Sequence, residues 1–249
     1  MRIVITVEYN GKDFYGWQIQ PGLRTVQGVL TESLSSLLRC PIVLHGSGRT
    51  DAGVHALNQI AHFDYAGNFP VEKLPLAVNT YLPSDVKVKS ATVAHDDFNA
   101  QFSAKRKTYA YNFYLSKIPR PLIDGFCTQI PYSEEKFDFD AAEKAVRSLI
   151  GKHNFLAFSS VGRPVLDPVR EIYSASLKKN GEVSTLTLTG NGFLYNMVRI
   201  IAGSIVEIGL GLLPENAVEK AFVSLDRKSL GATLPPHGLT LISVEYDND

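Results

Sequence analysis

The sequence predicts an α+β fold of two related halves, each built from mostly antiparallel strands with helices between them. Three observations carry this reading. Up to Asp97 the chain reads strand, helix, strand, glycine-rich loop, strand, helix, strand. After Asp97 the pattern restarts. Between two later alternating runs stands Asn180-Gly181, a dipeptide that marks a hairpin turn rather than a crossover. The expected organisation is an N-terminal half over residues 1–97, a connecting segment over 98–105, and a C-terminal half over 106–249.

Arg2 to Glu8 alternates apolar and polar residues, with Ile3, Ile5 and Val7 on one face, the period of a half-buried strand. Thr25 to Leu38 places Val26, Val29, Leu30, Leu34, Leu37 and Leu38 at helical spacing, and Thr25 can cap that helix. Strands are predicted over 41–45, 59–65 and 85–94, and a helix over 71–82. In the second half, strands are expected over 107–114, 171–178, 182–189 and 239–246. A helix is expected over 138–150, capped by Asp138 or Asp140. An apolar helix follows from Phe193, and another covers 214–225.

Among 249 residues, Lys plus Arg and Asp plus Glu each number 25, so the net charge is zero. That excludes a histone-like polycation and an acidic disordered tail, and any bound polyanion must meet a local basic patch. Cys40 and Cys127 lie far apart without CxxC spacing, as expected of reduced thiols. The N-terminus reads as a strand without an apolar leader. The most apolar stretch, Phe193 to Leu213, carries Asn196, Arg199 and Glu207, which does not suit a membrane span. The expectation is a cytoplasmic protein with no membrane contact.

Three segments hold the residues from which chemistry can be built. Gly46 to Ala56 puts Arg49, Asp51 and His55 in a loop whose glycines permit sharp turns and close approach of a ligand. By composition alone it also reads as a connecting loop with an Asx-turn at Asp51. It matches neither GxGxxG nor GxxxxGK[ST]. In the apolar run from Phe193 to Gly203, Arg199 needs a carboxylate or several carbonyls, because an unpaired buried charge costs about 3–5 kcal/mol. It is either a structural ion-pair residue or the orienter of a catalytic carboxylate, for which Asp51 is a natural candidate. From Phe98 to Ile123 there are five basic residues (Lys105, Arg106, Lys107, Lys117 and Arg120) and no acidic one. There the basic run enters a strand in which Tyr109, Tyr111 and Phe113 share a face. Cations for phosphates beside a ring for a base suit a nucleic acid, and a strand with a solvated basic edge is the plainer alternative. The six histidines and two cysteines show no metal-binding spacing, and no GxSxG turn is present.

Four segments, taken in order, resemble the tRNA pseudouridine synthase A family: GRTDAGVHA (48–56), FNAQFSAKRKTYAY (98–111), FLYNMVRIIAG (193–203) and GATLPPHGLTLISVEY (231–246). The resemblance implies ferredoxin- or RRM-like α/β-sandwich halves joined through a central, mostly antiparallel sheet. It implies a homodimer that isomerises uridines on the 3′ side of the tRNA anticodon stem-loop, with no cofactor and no metal. By the same resemblance Asp51 is the catalytic aspartate. Arg49 holds the target nucleotide out of its stack, Tyr109 stacks on the uracil, and Arg199 pairs with the aspartate. Lys105, Arg106, Lys107 and His55 are expected among the substrate-binding residues. One position departs from the family: Gln101 stands where an arginine is common, which removes a cation from the expected RNA surface. Related readings are the same chemistry on ribosomal or other RNA, and a non-catalytic RNA-binding paralogue.

The reaction breaks the N1–C1′ bond of uridine, turns the base and rejoins it through C5. The base must leave the helix, at a cost of roughly a few kcal/mol. An ionised carboxylate beside C1′ serves either as nucleophile or as base, and the sequence does not choose between them.

Overall fold

The computed structural model describes residues 1–160 and 167–247, so the end of the expected second half at residue 249 lies outside the described residues. The chain divides into two compact units. The first comprises Met1–Lys105 together with the chain from Thr240 onward, and the second comprises Arg106–Leu239. The closing strand groups with the first unit.

In the first unit, β1 (Arg2–Tyr9), α1 (Val26–Leu38), β2 (His45–Gly46), β3 (His55–Asp64), α2 (Leu74–Val78), β4 (Val86–Ala94) and β10 (Leu239–Glu245) follow in chain order. β1 lies between β4 and β3, antiparallel to both, with Ile3 opposite Phe63 and Ile5 opposite Ala61. β2 and β10 share the far edge of β3, β2 antiparallel and β10 parallel to it. The period-two pattern of β1 leaves Ile3, Ile5 and Val7 fully buried, as are Val26, Leu30 and Leu34 of α1. The Thr25 side chain caps α1 by accepting the Gly28 N–H at 3.3 Å. β10 belongs here because Thr240 pairs with His55, Asn58 Nδ2 donates to Ile242 O at 2.7 Å, and Tyr246 Oη donates to Ala100 O at 2.7 Å.

The second unit holds β5 (Arg106–Leu115), β6 (Thr128–Ile130), α3 (Phe139–Arg147), β7 (Gly151–Asn154), β8 (Val169–Asn180), β9 (Val183–Gly190), α4 (Met197–Gly209) and α5 (Ala217–Ser224). Its strands run β5, β9, β8, β7, all antiparallel, with the short β6 parallel on the other edge of β5. The predicted hairpin forms where expected: Asn180 pairs with Val183, and Gly181 takes φ +60° in the turn. Asp138 caps α3 by accepting the Ala141 N–H at 2.9 Å. α3 and α4 pack on one another, α3 against β8 and α4 against β5. The α+β class with mostly antiparallel strands is therefore what the chain adopts.

Several boundaries differ from expectation for local reasons. Of 41–45 only His45 pairs as strand; Pro41 has no N–H to offer, and the Ile42 N–H goes to Ser35 Oγ. The helix expected over 71–82 shrinks to five α-helical residues after a 3-10 turn. Asn79 ends it by exchanging hydrogen bonds with both backbone groups of Val88 on β4. The helix expected from Phe193 begins only at Met197, because Asn196 stands in the left-handed region at φ +62°. α5 stops at Ser224, before Leu225 at φ +55°. β6 and β7 are too short to leave a periodic signal.

Candidate active site

Arg49, Asp51 and His55 lie on the loop from β2 into β3, and the segment just after β1 holds that loop mainly through its backbone. Trp17 N–H donates to Thr50 O at 3.0 Å, Gly53 N–H to Phe14 O at 3.3 Å, and Gly11 N–H to His55 Nδ1 at 3.0 Å. Tyr9 Oη and Thr50 Oγ1 lie 2.8 Å apart in a buried hydrogen bond. The near end of the loop is tied by Ser47 N–H to Ile60 O at 2.7 Å and by Gln59 Nε2 to Gly48 O at 3.0 Å. Two glycines make this approach possible. A Cβ on Gly11 would stand 2.0 Å from Val54 O, and one on Gly16, at φ +83°, would stand 2.6 Å from Thr50 O. These contacts leave Asp51 half-buried and Arg49 exposed. Among the described residues the Arg49 side chain makes no hydrogen bond or ion pair.

His55 is a correction to the sequence reading. It is only 2% exposed, and its Nδ1 accepts the Gly11 N–H. Its place is inside the wall of the loop, because the first residue of β3 points inward there. Lys105 is exposed and pairs with Asp247 at 2.9 Å.

In the second unit, Tyr109 sits on β5 opposite Leu188, 9% exposed. The ring of Phe193 meets it edge-on with centroids 5.1 Å apart. Tyr111 and Phe113 follow on the same face, as the alternation predicts. Arg106 is exposed, its guanidinium 5.3 Å from the Tyr173 ring centroid. Lys107 is half-buried. Burial first, and the nearby Arg170 second, push its ammonium below the usual lysine range.

Arg199 lies in the first turn of α4 rather than at its middle, since the helix starts late. A cation there opposes the helix dipole and needs acceptors or an anion to compensate it. Nε donates to Leu234 O at 2.7 Å, and Nη1 to Asn196 Oδ1 at 2.8 Å. Tyr111 Oη, pushed up in pKa by burial, donates to Pro235 O at 2.8 Å. The strap Gly231–Pro235 is itself seated on α4. Gly231 N–H donates to Ser204 Oγ at 3.1 Å and Ala232 N–H to Glu207 Oε1 at 2.8 Å. A Cβ on Gly203 would stand 1.8 Å from Ala232 O. The apolar helix and the Pro235-Pro236 turn, two separate sequence motifs, are thus one construction that presents Arg199.

Sequence reasoning missed Gly11, Gly16 and Asn196. The glycines of the YNGKDFYGW stretch were visible, but nothing local says that another loop presses on them. Among the described residues no group of three or more His, Cys, Asp or Glu side chains gathers in a way that could hold a metal ion. No helix there is long and apolar enough to cross a membrane.

Comparison with known proteins adds an independent finding. A family model described as tRNA pseudouridine synthase matches residues 5–103 and 145–247. Arg49 and Asp51 fall in the first matched stretch, Arg199 in the second, and Tyr109 between them. The tRNA pseudouridine synthase A of Caldicellulosiruptor bescii is 41% identical over 244 residues, covering 98% of this chain and 99% of the relative. That of Bacillus subtilis is 40% identical over 252 residues, covering all of both chains. Among solved structures, a Cbf5-Nop10-Gar1 complex is 11% identical, with a TM-score of 0.37; the match spans 96% of this chain and 57% of that one.

Proposed function

The chain belongs to the tRNA pseudouridine synthase family, RNA-modifying isomerases, and from that premise we propose that it converts uridines on the 3′ side of the tRNA anticodon stem-loop, with Asp51 as the reacting carboxylate. The observation that carries this is the seating of Asp51. It is half-buried in a loop that Thr50, Gly53 and His55 tie to the segment after β1, so the backbone around it fixes where its carboxylate stands. Arg49 takes the place of the flipped nucleotide or grips its backbone. Tyr109, backed by Phe193, offers a flat face that keeps the detached uracil near the sugar and favours rejoining over escape. Arg199 is the cation that keeps the Asp51 carboxylate charged. His55 is a positioning residue for the loop.

The bookkeeping needs no cofactor. The N1–C1′ bond breaks, the C5–C1′ bond forms, C5 gives up its proton and N1 gains one. Asp51 as nucleophile on C1′ and Asp51 as base on the 2′-carbon both satisfy this balance. The working form is proposed to be a cytoplasmic homodimer. A second reading, the same chemistry on ribosomal RNA, rests on the exposed Gln101.

The test is tritium release from unmodified tRNA transcripts labelled at C5 of uridine, in chelator. The wild-type protein should release tritium. Asp51→Asn should release none while binding the RNA within about tenfold, or ~1.4 kcal/mol. Substantial release by the variant would remove Asp51 from the chemistry. Release from ribosomal RNA alone would favour the second reading.

A further inference from the structure

The strap from Leu230 to Pro235 forms no helix or strand, yet each of its residues has a hydrogen-bond partner beyond it. Gly231 and Ala232 are seated on Ser204 and Glu207 of α4. Leu234 bonds Arg199 twice, its N–H donating to Arg199 O at 3.3 Å and its carbonyl accepting Arg199 Nε at 2.7 Å. Pro235 O accepts the Tyr111 hydroxyl at 2.8 Å. The other two residues, Leu230 and Thr233, share one side chain. Arg227 Nη1 donates to Leu230 O at 3.3 Å, and Nη2 donates to Thr233 Oγ1 at 3.2 Å.

Arg227 is itself firmly placed. It opens the 3-10 turn Arg227–Ser229, which Asp226 caps by accepting the Lys228 N–H at 2.9 Å. Ser229 Oγ donates back to Asp226 O at 2.7 Å. The guanidinium is half-buried. Burial lowers its pKa, and the Glu207 carboxylate opposes that shift. Glu207 also accepts the Ala232 N–H, so the strap is held by an anion on α4 and a cation on the turn. The two terminal nitrogens of one planar fork span acceptors three residues apart, a geometry that the single nitrogen of a lysine does not reproduce.

We infer that Arg227 is a positioning residue for the reaction: by clamping Leu230 and Thr233 it fixes the Leu234 carbonyl and, through that carbonyl, the guanidinium of Arg199. This rests on the reading of Arg199 as the cation that keeps Asp51 charged. Thr233 adjoins Leu234 through one planar peptide, so a displaced Thr233 carries the carbonyl with it. A misplacement of about 1 Å in a catalytic constellation can cost on the order of a hundredfold in rate. The clamp therefore acts on the chemical step and leaves the grip on RNA to other residues.

The experiment compares wild type, Arg227→Lys, Thr233→Val and Thr233→Ser. For each it reads the single-turnover rate at saturating tRNA transcript, the RNA affinity, and the hydrogen exchange of the Arg199 Nε–H by NMR in the free protein. Thermal melts establish that each variant folds. Arg227→Lys keeps a charge near Glu207 and loses the fork, whereas Thr233→Val keeps the shape and loses the acceptor. Each is expected to slow the rate about tenfold, to change affinity by less than about threefold, and to speed the Nε–H exchange by about fivefold or more. Thr233→Ser keeps the hydroxyl and should recover most of the rate and of the protection. If Arg227→Lys does not fold, Thr233→Val carries the same expectation. An unchanged rate or an unchanged exchange in a variant that melts like wild type overturns the clamp. So does a loss of affinity as large as the loss of rate, or a Thr233→Ser variant as impaired as Thr233→Val. Absent turnover by wild type would sink the proposed reaction instead. The Arg199 Nε–H exchange, read without RNA, then still decides whether Arg227 fixes Arg199.

Discussion

The Asp51 loop and the Arg199 turn solve the same task by opposite means. Around Asp51, mainly backbone holds backbone: Thr50, Gly53 and His55 are fixed from the 9–17 segment, and two glycines let the chains come close. Around Arg199, the functional side chain is itself part of the brace, giving protons to Leu234 O and Asn196 Oδ1. Asp51 is carried on a loop that its neighbours' contacts fix, whereas the Arg199 guanidinium is itself one of the fixing contacts. Substitutions should therefore separate geometry from charge in the first region and should disturb both together in the second.

The most severe break is expected at Gly203→Val. With a Cβ 1.8 Å from Ala232 O, either the strap lifts or α4 moves, and the carbonyl that holds Arg199 goes with it. Overpacking against backbone should cost more than about 3 kcal/mol in denaturant unfolding and abolish turnover. Gly11→Ala tests the other region. Its Cβ would meet Val54 O at 2.0 Å, so the loop must shift. We expect a loss of about 1–3 kcal/mol with at least a tenfold fall in rate and little change in RNA affinity. Equal damage to affinity would mean that the loop grips substrate as well as carrying the aspartate.

A pH series sharpens the comparison at the segment leading into Lys105. His62 is 3% exposed, and its Nδ1 accepts the Ala100 N–H at 3.1 Å. Its pKa is lowered first by burial, then by His45, stacked at 5.1 Å, and by Arg2, with Asp64 opposing. As pH falls through about 6.5 the unfolded chain takes up the proton before the folded one does. Stability should then decline from about pH 6.5 down to the lowered folded value and level off below it. His62→Asn keeps an acceptor and removes the titration, so its stability should be flatter over that window. A slope that persists unchanged would point away from His62.

The smallest effect on stability is expected at Asn196→Gly. Glycine tolerates φ +62° without strain, so unfolding free energy should move by less than about 1 kcal/mol. Arg199 nevertheless loses an acceptor, and the rate should drop several-fold. A rate unchanged by this variant would leave Leu234 O as the contact that matters.

What the sequence alone determined was whatever local periodicity or one-residue chemistry decides. The strand at Arg2, the Thr25 and Asp138 caps, and the Asn180-Gly181 hairpin each depend on neighbours a few residues away. The motifs bearing Asp51 and Arg199 were legible as residue sets for the same reason. Tertiary structure decided what long-range partners impose. It stopped the second helix at Asn79, which turns to serve Val88, and delayed α4 to Met197 through a left-handed Asn196. It drew β10 to the first unit through β3 and buried His55 behind Gly11. It also set Arg170 along Gly192, a placement no spacing in the sequence foreshadows, because strand register joins residues far apart in the chain while periodicity reports only which face each residue takes.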